Sequence, residues 1–348
     1  MDDDLVEISP KKRFHKLNKI IGEGAFKVVY KAYDVNRGVY VAWNDIPMNK
    51  LNNSQKNQIK DEIKLLMNVK DKNKYVLNFY ASWFNEEKNT VTFISDLFMC
   101  GNLNQFIKSV KVIKLSIVRK WARQILEGLE FLHNEGIIHR DVKCDNIFIN
   151  GTIGDIVIGD LGIARIMSET GSAKTVLGTP EFMAPEMYDE KYNSSCDIYS
   201  FGLTLLEIVT GKVPYSECSS IPQIWKKVTL GEKPNSFSEI PDDSIKSIIE
   251  KCIRTDPYER PSINNLLSED FFVETKDYRI DLTKHSILEK ENYLASKTIE
   301  QEMKETIRAY DEDSMEKKET NEEFSVLEDF DNESVLLIDR NGVIFQEE

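Results

Sequence analysis

Residues 139–149 of this chain read HRDVKCDNIFI, and GDLG follows at residues 159–162. Both stretches set charged or amide side chains among apolar residues of the kind that form buried strands. The polar positions are Asp141, Lys143, Asn146 and Asp160. The pattern therefore predicts a compact group of two acids, one cation and one amide at the ends of short strands.

Phosphoryl transfer needs such a group of side chains. An aspartate, Asp141 here, must accept the proton of the attacking hydroxyl, and a lysine, Lys143, must balance charge on the γ-phosphate. Asn146 and Asp160 offer the oxygen ligands that Mg²⁺ prefers. The alternative is a polar loop whose acids are exposed by chance. The compound spacing HRDxKxxN plus DxG disfavours that alternative.

Residues 14–273 resemble a eukaryotic protein kinase in these motifs and in two more. IGEGAFKVVY, residues 21–30, resembles the glycine-rich loop that covers nucleotide phosphates, and GTPEFMAPE, residues 178–186, resembles the end of an activation segment. The resemblance implies an α+β, two-lobed eukaryotic protein kinase fold that binds ATP and Mg²⁺ and a protein substrate. Lys143 and Thr179 fit serine/threonine specificity.

The resemblance also implies two structural contacts in the helical part of the chain. Glu186 is expected to pair with Arg260 as a buried ion pair. Asp197, in CDIYSFG, is expected to anchor the backbone of the catalytic loop.

Hydrophobic periodicity divides the body into two lobes. Short β-rich runs surround one helical stretch in a predicted N-lobe, and helical patterns dominate the predicted C-lobe. A cleft between two lobes is a common ligand site. The predicted parts are an N-terminal extension (1–13), a kinase domain (14–273) with N-lobe (14–96) and C-lobe (101–273), and an acidic C-terminal tail (274–348).

The third-strand motif of the kinase pattern reads VAWN here, with Asn44 where kinases usually carry a lysine. That lysine binds the nucleotide phosphates, and asparagine is too short and neutral to replace it. Three readings compete: a pseudokinase that lost the lysine, a chance basic substitute, or a cation moved to a specific site. Lys27 fills the place of the third glycine of the glycine loop. Because side chains two apart share a strand face, Lys27 and Val29 should both face the cleft, as should Ala42 and Asn44.

This pair of departures resembles the with-no-lysine (WNK) kinases, whose ATP lysine lies in the glycine loop. The sequence also agrees with that family in three further segments, which read IIHRDVKCDNIFI, IGDLGIA and GTPEFMAPEMY. The resemblance implies that Glu62 pairs with Lys27. It also implies that the backbone of Asp96 and Phe98 meets the adenine edge, with Ser95 at the gatekeeper position. Phe148 would then form the floor of the purine pocket. The nucleotide contacts so implied are Gly22, Gly24, Lys27, Val29, Ala42, Glu62, Asp96, Phe98 and Phe148.

Regulation is also implied by the resemblance. Thr175 stands at the main autophosphorylation place of WNK kinases, with Ser172 as a second phosphoacceptor, and a phosphate there would meet Arg140. WNK kinases bind an inhibitory chloride at the DLG backbone and act on downstream kinases. The matching chloride positions are Leu161, Gly162, Ile163, Phe79 and Phe93.

Composition limits the remaining classes of function. The net charge is -14, but residues 276–348 hold 21 acids and 10 bases, whereas the first 275 residues hold 38 acids and 35 bases. A near-neutral body gives no electrostatic case for nucleic acid. No apolar run approaches the roughly 18 residues of a membrane span, and five scattered cysteines favour a reduced, cytoplasmic setting.

Two functions remain open at this stage. The first is an active kinase that phosphorylates serine or threonine in other proteins. The second is a pseudokinase scaffold that binds nucleotide without transfer, against which the intact Asp141, Asn146 and Asp160 argue.

Overall fold

The computed structural model describes most of the predicted kinase domain, part of the N-terminal extension and three short pieces of the tail. The described residues are 5–23, 27–49, 57, 63–64, 66–69, 71–151, 154–159, 179–189, 192–273, 277–282, 337–338 and 344–345.

The N-lobe is a six-stranded antiparallel sheet, as the short alternating runs predicted. Its strands lie in the order β1-β2-β3-β4-β6-β5. Alternation along β4 sends Trp43 to one face, where it packs edge-on against Trp83, and Asn44 to the other. The strands are β1 (Leu5–Ile8), β2 (Phe14–Glu23), β3 (Val28–Asp34), β4 (Val39–Pro47), β5 (Phe79–Asn85) and β6 (Thr90–Asp96).

Strand β1 lies in the segment that the sequence assigned to an extension outside the domain. It pairs with β2, and Glu7 forms a salt bridge with Lys88 at 2.6 Å. Ser9 then turns the chain, because its hydroxyl accepts the Phe14 N–H at 2.9 Å. Four strand residues are too few to display a period, so the pattern gave no signal.

The C-lobe is built around one helix, α3 (Ser195–Thr210), which is buried all round and carries a row of polar side chains among its apolar ones. Gly211 ends α3 with a φ of 72°, a left-handed conformation that glycine adopts without strain. Asn102 begins α1 in a capping box with Gln105. The helices are α1 (Leu103–Ser109), α2 (Leu115–Asn134), α3 (Ser195–Thr210), α4 (Ile221–Thr229), α5 (Asp243–Cys252), α6 (Ile263–Leu267) and α7 (Asp270–Val273).

Two short antiparallel strand pairs complete the C-lobe. Strand β8 (Ile147–Asn150) pairs with β9 (Asp155–Ile158) and carries the residues that follow the catalytic loop. Strand β7 (Val112–Lys114) pairs with β10 (Arg279–Asp281). The β10 strand lies beyond residue 273, so the ordered lobe continues a few residues past the predicted domain end.

The far end of the tail carries one described strand pair. Strand β11 (Leu337–Ile338) pairs antiparallel with β12 (Ile344–Phe345). Among the described residues, no helix is long and apolar enough to cross a bilayer.

Helix α3 buries a carboxyl group beneath the catalytic loop. The Glu207 side chain is 3% exposed, and its Oε2 has no hydrogen-bond partner among the described residues. Burial raises the pKa of Glu207 to about 7, while a hydrogen bond from Cys144 opposes that rise. Because the folded state then holds a proton that the unfolded chain has released, the free energy of unfolding falls as pH rises from about 4.5 through about 7.

Glu207→Gln should therefore stabilise the protein above that window and change little below it. We expect the variant to gain roughly 3 kcal/mol in free energy of unfolding at pH 8, and almost nothing at pH 4. Urea unfolding at both values measures the gain, with the exposed Glu232→Gln as control. An equal gain at both values would show that the effect is not the ionisation of Glu207.

Candidate active site

In the catalytic loop, the side-chain amide of Asn146 fixes the position of the Asp141 carboxylate through hydrogen bonds. After α2 the chain runs through a short 3-10 turn, Cys144–Asn146, into β8. Asn146 Nδ2 donates to Asp141 Oδ2 at 2.7 Å and to the Asp141 carbonyl at 2.8 Å. The predicted grouping of Asp141 with Asn146 is thereby observed, and the carboxylate orientation is fixed.

A lysine and a threonine complete the surroundings of Asp141. Lys143 Nζ lies 2.9 Å from Asp141 Oδ2, and Thr179 donates to Asp141 Oδ1 at 3.1 Å. Lys143 also donates to the Thr179 hydroxyl. The carboxylate keeps 28% of its side-chain surface exposed, so a hydroxyl can approach an acid whose position is fixed by three neighbours.

Asp197 on α3 anchors this loop from below, as the sequence predicted. Its Oδ2 accepts the His139 N–H at 2.9 Å and its Oδ1 accepts the Arg140 N–H at 2.8 Å. Burial alone would raise the pKa of Asp197, but the hydrogen bond and charge of His133 and the charge of His139 bring that pKa below its ordinary value. Asp197 is therefore an ionised anchor, and it holds Arg140 in the left-handed conformation with a φ of 70°.

The predicted ion pair between Glu186 and Arg260 is present. Arg260 Nη1 lies 2.5 Å from Glu186 Oε1, and Nη2 lies 2.8 Å from Oε2. This two-bond geometry is the strong form of an arginine–carboxylate contact. It ties the segment that carries Thr179 to the body of the C-lobe.

The cleft face of the N-lobe carries the predicted nucleotide side chains. The β3–β4 ladder pairs Val29 with Asn44 and Lys31 with Ala42. Lys27 comes immediately before β3 and is half-buried. Ala42 and Asn44 are buried on one face of β4, as predicted. Gly22 lies opposite Val29 on β2.

The connection between the lobes is held by side chains that sequence reasoning missed. Asn78 donates to Asp96 Oδ2 from its N–H at 3.2 Å and from Nδ2 at 3.1 Å, and the Tyr80 hydroxyl donates to Oδ1. The Asp96 N–H donates to the Asn78 carbonyl at 3.2 Å, so a nucleotide edge would meet the carbonyl of Asp96. The available signal was the polar Asn78 inside an otherwise apolar strand run.

Aromatic rings line the two ends of the nucleotide region. Phe98 stacks on Phe148 with ring centroids 5.7 Å apart, which agrees with the implied floor of the purine pocket. Phe79 and Phe93 are buried with centroids 5.5 Å apart. Several predicted site residues lie outside the described residues: Gly24, Glu62, Asp160, Leu161, Gly162, Ile163, Ser172 and Thr175.

Residues 15–272 match the protein kinase domain family, and the geometry of Asp141, Asn146 and Asp197 agrees with that match. The chain belongs to the protein kinase family. The predicted two-lobed kinase fold is confirmed.

Curated kinases of several animals resemble this protein kinase closely over the domain. Serine/threonine-protein kinase WNK3 of Mus musculus is 46% identical over 281 residues, covering 80% of this chain and 16% of the relative. WNK4 of Homo sapiens is 41% identical over 294 residues, with coverage of 83% and 23%. Drosophila melanogaster Wnk is 42% identical over 287 residues, with coverage of 81% and 12%. The resemblance to the WNK kinases is confirmed, and this kinase spans less than a quarter of the length of these relatives.

A solved structure supports the fold independently. The crystal structure of Rad53 1-466 in complex with AMP-PNP aligns with a TM-score of 0.64 at 23% identity. The alignment covers 75% of this chain and 66% of that chain.

Proposed function

We propose that the chain is an ATP-dependent serine/threonine protein kinase of WNK type, with Lys27 as its ATP lysine. The observation that carries this proposal is the fixed carboxylate of Asp141, with Asn146, Lys143 and Thr179 around it. The WNK relatives, named as serine/threonine kinases, support the same activity.

The donor set near Asp141 fits a nucleotide-bound magnesium ion. Both bonds of the Asn146 amide nitrogen go to Asp141, which leaves the amide oxygen on the opposite side of the group. That oxygen and the carboxylate of Asp160 are ligands of the hard type that Mg²⁺ prefers. When bound, the ion would neutralise phosphate charge.

The reaction follows from the positions of the protein side chains. Asp141 accepts the proton of a substrate serine or threonine hydroxyl as its oxygen attacks the γ-phosphorus of ATP. The bond from that phosphorus to the β,γ-bridging oxygen breaks, and ADP leaves with the electron pair. Lys143 offsets charge on the transferred group, and Lys27 does so on the phosphates that remain.

Radiolabelled phosphate transfer tests the proposal. The full chain is incubated with γ-labelled ATP, Mg²⁺ and a generic protein substrate, and label is counted in both proteins. Asp141→Asn is the blank, because it keeps the shape of the side chain and removes the proton acceptor. Nucleotide binding without any transfer above that blank would favour the scaffold alternative instead.

We propose further that phosphorylation of the activation segment, at Thr175 with Ser172 as a second acceptor, activates the kinase. The supporting observation is Arg140, whose Nε is buried and has no hydrogen-bond partner among the described residues. A buried guanidinium donor costs free energy until an acceptor arrives. A phosphate oxygen would supply that acceptor and order the segment.

Thr175→Ala should give a folded protein of low activity, reduced by roughly ten- to a hundredfold relative to phosphorylated wild type. Intact mass checks the phosphorylation state before each rate is measured, and Thr255→Ala in the C-lobe is the control. Full activity of a wild-type preparation that carries no phosphate would refute the switch.

Other properties of WNK kinases extend the proposal. We propose chloride inhibition near Phe79 and Phe93, downstream kinases as protein substrates, and a cytoplasmic setting that suits five free cysteines. Replacing chloride by gluconate at constant ionic strength should raise the rate of a chloride-inhibited kinase. An unchanged rate would remove chloride from the proposal.

A further inference from the structure

Asn44 has a defined orientation although it holds no charge. Its side chain is 4% exposed, and Nδ2 donates to the Ala42 carbonyl at 3.3 Å, the Phe93 carbonyl at 3.4 Å and Ser95 Oγ at 3.1 Å. Two of these partners are backbone carbonyls, which only accept hydrogen bonds. The amide nitrogen, and not the oxygen, must therefore face them.

The strand ladders show where the amide oxygen is directed. Strand β4 pairs Asn44 with Phe93 of β6 on one side and with Val29 of β3 on the other. The nitrogen is turned to β6 and toward Ala42. The oxygen, on the other side of the planar amide, is therefore turned to β3 and away from Ala42.

Lys27 lies in that direction. The ladder runs from Lys31 opposite Ala42 to Val29 opposite Asn44, and the same alternation, continued past Val28 at the start of β3, leads to Lys27. It is separated from Asn44 by one step along the ladder, within reach of a long side chain.

We propose that Asn44 is a positioning residue, whose amide oxygen accepts a hydrogen bond from the Lys27 ammonium and aims it at the nucleotide phosphates. This inference rests on the proposed function. A lysine has three donors on a flexible stem, so an acceptor behind it reduces the number of directions the ammonium takes. A neutral amide does this without the repulsion that a carboxylate would exert on phosphate.

The alternative is a purely structural role. Two of the three bonds from Nδ2, those to Phe93 and Ser95, fasten β4 to β6, and losing them would loosen the sheet whatever residue stood at position 27. The two roles differ in one measurable respect, because positioning requires Lys27 and strand fastening does not.

A double-mutant cycle on nucleotide affinity separates these roles. The dissociation constant of Mg²⁺·AMP-PNP is measured by calorimetry for the full chain, Asn44→Leu, Lys27→Met and the double variant. We expect Asn44→Leu to weaken binding by roughly five- to tenfold when Lys27 is present. In the Lys27→Met background the same change should cost no more than about twofold. The turnover number should fall further than the affinity does.

Two further variants make the comparison robust. Thr92→Val is the matched control, because Thr92 Oγ1 donates to Asp45 Oδ1 at 2.6 Å across the same two strands, on the face away from the cleft. It should lower the melting temperature and leave AMP-PNP affinity unchanged. Asn44→Gln keeps a neutral amide acceptor, and it should bind AMP-PNP more tightly than Asn44→Leu does.

Equal weakening by Asn44→Leu in both backgrounds would overturn the positioning role, as would Asn44→Gln binding no better than Asn44→Leu. Should Asn44→Leu fail to fold, the smaller Asn44→Ala takes its place in the cycle. Phosphate transfer by the wild-type protein is measured first, because it distinguishes failure of the proposed kinase function from failure of the positioning role. An inactive wild type contradicts the proposed function, whereas an active wild type without coupling contradicts this inference alone.

Discussion

Asp141→Ala should reduce phosphoryl transfer by roughly 10²–10⁴-fold, which is the range for removing a positioned general base. The side chain accepts the hydroxyl proton and is not assigned to bind nucleotide, so AMP-PNP affinity should stay within about twofold of wild type. In the structure, its two carboxylate oxygens accept from Asn146 and Thr179, and both donors lie in the C-lobe. The loss should therefore appear in the turnover number.

The control for this variant lies on the same loop. Asp145 is exposed and its Oδ1 accepts from Asn104 at 2.8 Å, on α1. Asp145→Ala removes an acid of the same size without touching the Asp141 cluster, so its turnover number should stay within severalfold of wild type. If Asp141→Ala weakened AMP-PNP binding as much as it slowed transfer, the general-base role would be wrong.

The catalytic loop was predictable from the sequence because its function needs many residues at fixed spacing. HRDxKxxN brought Asp141, Lys143 and Asn146 together correctly, and the anchoring role of Asp197 followed from the same resemblance. Asp197 lies 57 residues after Arg140, so its role came from the resemblance and not from local spacing. Asp141, Lys143 and Asn146 lie within a few residues of one another. Local spacing therefore carries the geometry with it.

The contacts that sequence reasoning missed depend on which strands become neighbours. Tyr80 and Asn78 anchor Asp96 only because β5 and β6 are paired. The bond from Asn44 to Ser95 exists because β4 and β6 are adjacent although α-helical sequence separates them in the chain. Strand order is a property of the whole sheet, and periodicity within one strand cannot show it.

The face of each strand was nevertheless predictable. Alternation placed Ala42 and Asn44 on one face of β4, and Trp43 and Asp45 do lie on the other, where the Trp43 indole N–H donates to Asp45 at 2.8 Å. The same alternation relates Lys27 to Val29. The proposed relocation of the cation to Lys27 depends on that alternation, and it can be tested directly.

Lys27→Met should lower both nucleotide affinity and rate, and the rate more strongly. A charge-assisted contact to phosphate in a shielded cleft contributes about 1.5–3 kcal/mol to binding, or roughly ten- to a hundredfold. The transition state carries more charge on the phosphate oxygens, so transfer at saturating ATP should fall further than affinity does. Turnover and AMP-PNP affinity of the full chain provide both numbers.

Lys31→Met is the matched control, since Lys31 lies four residues on and, by the same alternation, on the same strand face. Its ammonium stands 3.4 Å above the Tyr40 ring, away from the predicted phosphate position. Lys31→Met should leave the turnover number and the AMP-PNP affinity near the wild-type values. That result would exclude a general effect of lost positive charge on the cleft.

Asn44→Lys in a Lys27→Gly background completes the argument about where the cation lies. The exchange restores the usual kinase arrangement, a glycine in the loop and a lysine on β4, and alternation predicts that positions 27 and 44 face one cleft. We expect the exchanged protein to transfer phosphate faster than Lys27→Gly alone, although the new lysine must displace the bond between Asn44 and Ser95. If instead Lys27→Met matched wild type while Asn44→Ala abolished transfer, the cation would not act from the glycine loop and the VAWN motif would need a different chemical explanation.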